Sequence, residues 1–432
     1  MTAEIVIMNK EAVAIAADRA VHIMTGPPEN PQVVAASATR IFTLSEHHPV
    51  SLMIYNNACF LGIPWEPLIA RFGESLGPAP LPALNDYAER FLAFLRTEQD
   101  LITPAIEQQY FTSSIYACYL AFREIFRESA SEMIRELGVI NEDQVGEFVA
   151  GKIDGLFTSA ASATPVAGIS QSFVKDLSTA YDAITTRAMS DIFEELPIPE
   201  KARVQLKEIP FLYYATFGGT SDPASALFSG VVLSGFGKQE IFPSLVSYAI
   251  EGRLGGTLKY REISRKQVTL ERGAWVVPVE QQEMVDIFLS GIDPRLTDAL
   301  VGSLAEVFVQ YPQAIVDSIE TLSDEEKANV KNRFQPESDE LVTRISAYMT
   351  HYRASKIAPV INAVVSLPKD ELAAMAGSLV SLTSLKKKVS GHPGSHGSAI
   401  DVAVISKKDG FVWIRKKPYV RAGEGNSRCT ST

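Results

Sequence analysis

The sequence predicts an α+β fold in which strand-rich stretches are interrupted along the chain by a long helical insertion. Three observations carry this. Apolar residues alternate at Ile5 and Ile7 and again at Val13, Ile15 and Ala17, the period of a strand. Between about residues 85 and 196 the period changes: Tyr87, Phe91, Phe94 and Leu95, then Ile115, Tyr119, Phe122, Ile125 and Phe126, recur at the spacing of one helix face. Strand signals punctuated by glycine and proline then return at 210–217, 229–237 and 244–252.

Taken in order, the first element is a hairpin with its turn at 9–11 and its second strand ending at Asp18. Residues 40–44 and 49–58 read as strands, and 64–72 as the start of a helix ended by the Pro-rich segment 77–82. The aromatic stripe of the insertion reads as core. Segment 155–174 is uncharged but rich in Ser, Thr and Gly and contains Pro165, too polar for a membrane span, so it reads as helix end and loop. After the returning strands come a strand at 268–278, a helix at 280–289, and helices over 294–322, 325–333, 340–365 and 369–382. A closing hairpin occupies 399–405 and 410–414. The expected division is a first sheet portion at 1–84, a helical insertion at 85–205, a second sheet portion with helices at 206–420, and a disordered tail at 421–432.

The chain has 432 residues, 46% hydrophobic and 21% charged, enough for one large or two medium domains with a sizeable core. A net charge of −11 argues against nucleic acid and against an anionic membrane as the main partner. Cys59, Cys118 and Cys429 are scattered and odd in number, which suits a reducing cytoplasm rather than a disulfide framework. The N-terminus lacks the basic and apolar regions of a signal peptide, so a cytoplasmic location is expected.

Chemistry is suggested at the N-terminus. Removal of Met1 before a small residue leaves Thr2 with its hydroxyl and a free α-amino group. An α-amine has an ordinary pKa of roughly 7.7–8.0, so it can take the hydroxyl proton and return it to a leaving amine. Asp18 follows Thr2 by sixteen positions (18 minus 2), within the segment Ala16-Ala17-Asp18-Arg19-Ala20. This start resembles that of a proteasome β-type subunit, a member of the N-terminal-nucleophile (Ntn) hydrolase superfamily. Segment 40–44 is similar to the family's strand that opens with a lysine, segment 49–58 to the strand that ends in its oxyanion glycines, and the closing hairpin to its last two strands.

The resemblance implies a four-layer αββα sandwich and a threonine-type hydrolase. It implies Thr2 as nucleophile, Asp18 and Arg40 as the charged groups beside it, and Asn56 and Asn57 as the oxyanion turn. There are departures. Arg40 replaces a lysine and cannot titrate in a useful range. Asn56 and Asn57 replace glycines, although asparagine tolerates left-handed dihedrals. Residues 278–280 lack the family's supporting serine, and 391–398 lack its late aspartate, leaving Ser395 or Ser398 as candidate supports for Thr2. His392 and His396 are four apart, but Pro393 and Gly394 forbid a helix between them and no third ligand is near, so no metal is expected. No organic cofactor is required either. The run Lys386-Lys387-Lys388 reads as a solvated helix end.

The function expected is hydrolysis of a peptide or small amide by a cytoplasmic homo-oligomer, the oligomer being implied by family analogy alone. Two alternatives stand beside it: a catalytically inactive assembly protein that keeps the fold, and a small-molecule amidase with a closed pocket.

Overall fold

The N-terminal alternation folds as a hairpin of β1 (Glu4–Asn9) and β2 (Ala12–Asp18), with Glu4 opposite Ala17 and Met8 opposite Val13. The computed structural model describes residues 3–25, 32–137, 141–194, 196–217, 228–390 and 399–416. It is a mixed α+β structure with antiparallel sheets, in two compact units: 1–38 with 268–432, and 39–267.

In the first unit the hairpin lies inside a five-stranded sheet. β12 (Ala274–Pro278) flanks β1, and β13 (Ile400–Ser406) then β14 (Gly410–Arg415) continue beyond β2. Asn9 fixes the β1–β2 turn. Its Oδ1 accepts the backbone N–H groups of Glu11 and Ala12, and its Nδ2 donates to the carbonyls of Val364 and Leu367, so a buried amide is satisfied on both ends. The small side chains Ala14 and Ala16 lie on the face that α11 (Lys369–Val389) covers with Leu372, Ala376 and Leu379. α8 (Glu283–Ser290) adds Val285 to the same cluster. Val6, Met8, Val13 and Ile15, on the other face, are also buried, which is why both strands read as nearly continuous apolar runs. A further hairpin, β3 (Ala20–Thr25) with β4 (Gln32–Ser37), follows β2.

Also in this unit, α9 (Pro294–Asp317) and α10 (Asp324–Val365) form an antiparallel hairpin. Ser338 Oγ donates to the Phe308 carbonyl at 2.8 Å, and Lys331 pairs with Asp317 at 2.6 Å. The sequence predicts two helices over the α10 range, whereas the structure has one that continues through Pro336. Proline removes one N–H donor and strains the preceding turn. The Ser338 bond, two residues later, holds that turn against α9.

The second unit contains a five-stranded sheet in the order β11-β10-β9-β6-β5. Its strands are β5 (Ile41–Ser45), β6 (His48–Asn56), β9 (Ser229–Gly235), β10 (Ser244–Leu254) and β11 (Thr257–Gln267). Two short strands, β7 (Cys59–Phe60) and β8 (Ile63–Pro64), lead into α1 (Trp65–Leu76). α1 and α2 (Leu84–Thr97) bury Leu68, Phe72, Tyr87 and Phe91 against Leu52, Ile54, Val231 and Leu233. The insertion comprises α3 (Pro104–Leu137), α4 (Glu142–Ser162), α5 (Gln171–Ala180), α6 (Asp182–Phe193) and α7 (Glu200–Ala215), with a core of its own. Ile115, Tyr119, Phe122 and Phe126 of the predicted stripe lie in that core.

Two strand expectations are corrected. Residues 210–217 are mostly the end of α7, not a strand, with Pro210 inside the helix. The run Phe211-Leu212-Tyr213-Tyr214 has strand-like composition, but its rings pack on α3, Tyr214 lying 5.3 Å from Phe111 between ring centroids, and packing overrides propensity. Of 268–278 only Ala274–Pro278 is strand. Before it, Thr269 and Arg272 close a turn.

A buried arginine ties the helices of this unit to its sheet. Arg253 on β10 pairs with Glu107 of α3 and donates to the carbonyls of Leu95, Arg96, Glu98 and Ile102, thereby occupying the open carbonyls at the end of α2. Glu107 also accepts from the Gly255 N–H. Removing one partner leaves the other charge buried, so Arg253→Met should cost about 3–5 kcal/mol of stability in urea unfolding. A cost under about 1 kcal/mol would contradict this role.

Candidate functional site

The candidate site in the first unit is built on the end of β2. The Asp18 N–H donates to the Ala3 carbonyl at 2.9 Å, and Asp18 pairs in register with Ile400 on β13. A carboxylate so placed is 6% exposed and needs a donor. One is Ser384 Oγ on α11, 2.5 Å from Asp18 Oδ2. The neighbouring Arg19 lies 3.4 Å from Asp401 of β13, both nearly fully buried, so the strand end carries a second charge pair beside the first.

Lys387 sits one helical turn beyond Ser384 on the same face of α11. Burial pushes its ammonium below the usual lysine range, while the carboxylates of Glu280, Glu4 and Asp18 act in the opposite direction. Four groups on three separated segments are thus electrostatically coupled at the start of β1. Lys387 is half-buried rather than a solvated helix end, which corrects the reading of the 386–388 run. Lys386 instead pairs with Glu283, and only Lys388 of the three is exposed. Helical spacing from Ser384 to Lys387 was the available signal, but a three-lysine run at a helix end looks the same whether or not one of them turns inward.

The remaining described candidates belong to the second unit. Arg40, immediately before β5, is 3% exposed and donates from its Nη1 to the Asn56 carbonyl at 3.2 Å. Asn56 adopts φ 60°, the left-handed conformation the sequence allows for, and its Nδ2 donates to the Phe228 carbonyl at 2.8 Å. Asn57 Oδ1 accepts from the Cys59 N–H at 3.1 Å, an Asx turn that leads the chain into β7. This end of β6 is further tied by Trp65 Nε1 donating to Ser229 Oγ, which donates in turn to the Cys59 carbonyl.

Thr2, Ser395 and Ser398 lie outside the described residues, as do His392 and His396. Among the described residues no group of three His, Cys, Asp or Glu side chains is arranged to hold a metal ion. The structure therefore brings together Asp18, Ser384 and Lys387 in one unit, and Arg40, Asn56 and Asn57 in the other. The sequence reading missed Ser384 and Lys387. Compared with models of known protein families and with curated protein sequences, the chain matches none.

The depressed Lys387 ammonium gives a pH test with a definite sign. The unfolded chain, with an ordinary lysine near 10.5, binds more protons than the folded one between the lowered folded value and 10.5. The Lys387 contribution to stability must therefore rise with pH across that window. Relative to Lys387→Met, the wild type should gain stability as pH is raised toward 10.5 in urea titrations. A constant difference would show that Lys387 titrates normally.

Proposed function

We propose that the chain is a threonine-type Ntn amidohydrolase, similar to proteasome β-type subunits, acting on a peptide or small amide. The observation that carries the reading is the setting of Asp18. It is buried at the end of β2, bonded through its backbone to Ala3, one peptide bond from Thr2, and bonded through its side chain to Ser384.

In the proposed reaction the Thr2 amine takes the hydroxyl proton as Thr2 Oγ forms a bond to the amide carbonyl carbon. The tetrahedral oxyanion needs backbone N–H donors, a role that the family resemblance gives to Asn56 and Asn57. As the C–N bond breaks, the Thr2 ammonium returns its proton to the leaving amine. Water then attacks the ester, releasing the acid and restoring the Thr2 hydroxyl. Asp18 stabilises the ammonium state. Arg40 cannot shuttle protons, and Lys387 supplies the titratable cation that the family takes from its lysine. The reading includes the four-layer αββα sandwich of that superfamily as the fold of the chain.

One observation favours the alternative of an inactive assembly protein. The arginine at the family's lysine position spends a donor on the Asn56 carbonyl, a structural use. Intact-mass spectrometry before and after an epoxyketone or β-lactone separates the two. Loss of Met1 with one adduct on Thr2, absent in Thr2→Ala and slowed at least tenfold in Asp18→Asn, is the expected result. Retained Met1, or Met1 lost without reaction at any probe size, would favour the assembly reading.

A further inference from the structure

The α9–α10 hairpin carries an apolar face that its own unit leaves in water. On α9 the exposed residues Leu296, Leu300, Leu304, Val307, Tyr311 and Ile315 each precede by one position a residue turned inward, such as Thr297, Phe308 or Val316. On α10, Phe334, Leu341, Tyr348 and Tyr352 are exposed, and each likewise precedes a less exposed one: Gln335, Val342, Met349 and Arg353. In an antiparallel pair, equal offsets of the same sign point to the same side. The two stripes therefore form one face.

That face is palindromic. On α9 the pairs Leu296 with Ile315, Leu300 with Tyr311, and Leu304 with Val307 each sum to 611, so the stripe reads the same in both directions about a point between residues 305 and 306. On α10, Phe334 and Tyr348 lie seven residues either side of Leu341, and Tyr352 extends the stripe by one turn at one end. The Ser338–Phe308 bond aligns the helices (338 plus 308 is 646), placing that midpoint opposite residues 340–341. Both stripes thus share one centre.

Charge follows the same symmetry. From 324 to 341, α10 holds six carboxylates and three bases (Asp324, Glu325, Glu326, Glu337, Asp339 and Glu340 against Lys327, Lys331 and Arg333). From 342 to 365 it holds Arg344, Arg353 and Lys356 with no acid. An antiparallel second α10 sets net −3 (three minus six) over net +3 in each half.

We propose that this face binds a second copy of the same chain, hairpin on hairpin, about a two-fold axis through Leu341. Leu341 then meets its own counterpart, and Phe334 meets Tyr348 of the other copy. A self-complementary patch is what an isologous dimer requires. α9 has 24 residues, about 36 Å, and two helices side by side span about 20 Å. The face offers roughly 700 Å² per copy, close to the ~800 Å² per partner of a stable interface. α9 is also long and apolar enough to cross a membrane by length and composition, so a bilayer is the competing occupant. The acidic and basic halves of α10 have no counterpart in a neutral bilayer, whereas a second α10 supplies both.

Sedimentation of the full chain tests the proposal. The wild type should be a dimer, and Leu341→Arg, which sets two like charges on the axis, should be monomeric with unchanged circular dichroism. Because position 341 faces itself, Leu341→Cys should form an interchain disulfide under mild oxidation well above the wild-type background. Phe334→Cys should do so only when mixed with Tyr348→Cys. A monomeric wild type, a dimer unaffected by Leu341→Arg, or crosslinking without this position dependence would overturn the proposal. So would flotation with phosphatidylcholine vesicles that Leu300→Arg abolishes, which would assign the face to a membrane.

Discussion

Burying a carboxylate at Asp18 is the constraint around which the first unit is arranged. A charge removed from water needs partners with good geometry, and those partners come from far along the chain. Its backbone is bonded to Ala3 and registered against Ile400, and its side chain is bonded to Ser384. Moving any one of these segments by a residue would turn the carboxylate or its donor away, because strand neighbours alternate faces. The hairpin, the closing strand and α11 are consequently fixed to one another at this point. Ala14 and Ala16, small enough to let α11 lie close to the sheet, make that approach sterically possible.

The same logic recurs in the second unit with different residues. Arg253 and Glu107 are a buried pair whose remaining donors are spent on helix-end carbonyls. Lys259, also fully buried, donates to the Tyr213 carbonyl at the end of α7 and pairs with Glu251. In both cases one cation from the sheet accepts the task of closing a helix C-terminus, where the macrodipole favours positive charge. The insertion is thereby anchored to β10 and β11 through polar contacts of defined direction, while its aromatic core supplies the nondirectional burial.

Much of this was legible in the residues. The β1–β2 hairpin, the closing hairpin and the helical character of the insertion follow from periodicity, and the left-handed Asn56 from the tolerance of asparagine for that conformation. What escaped detection has physical causes. The end of α7 carries Pro210 and an aromatic run that suit a strand in isolation, and only contact with α3 makes them helical. β11 hides behind a charged sequence because only Leu258 and Lys259 of its early residues are buried, and one of those is a lysine. Pro336 marks a break that α9 prevents. Lys387 is missed because a local sequence does not show which lysine of three will meet carboxylates from residues 4, 18 and 280.

The proposed chemistry makes the Thr2 amine the base and gives Asp18 and Lys387 opposite effects on its charged state. The most direct test is the pH dependence of Thr2 acylation by a β-lactone, followed in the wild type, in Asp18→Asn and in Lys387→Met. The rate should rise with pH through one ionisation. Loss of the negative charge should move that ionisation to lower pH, and loss of the positive charge should move it higher, because each neighbour biases the ammonium state in opposite directions. Shifts in a common direction, or a midpoint unchanged in both variants, would contradict the account.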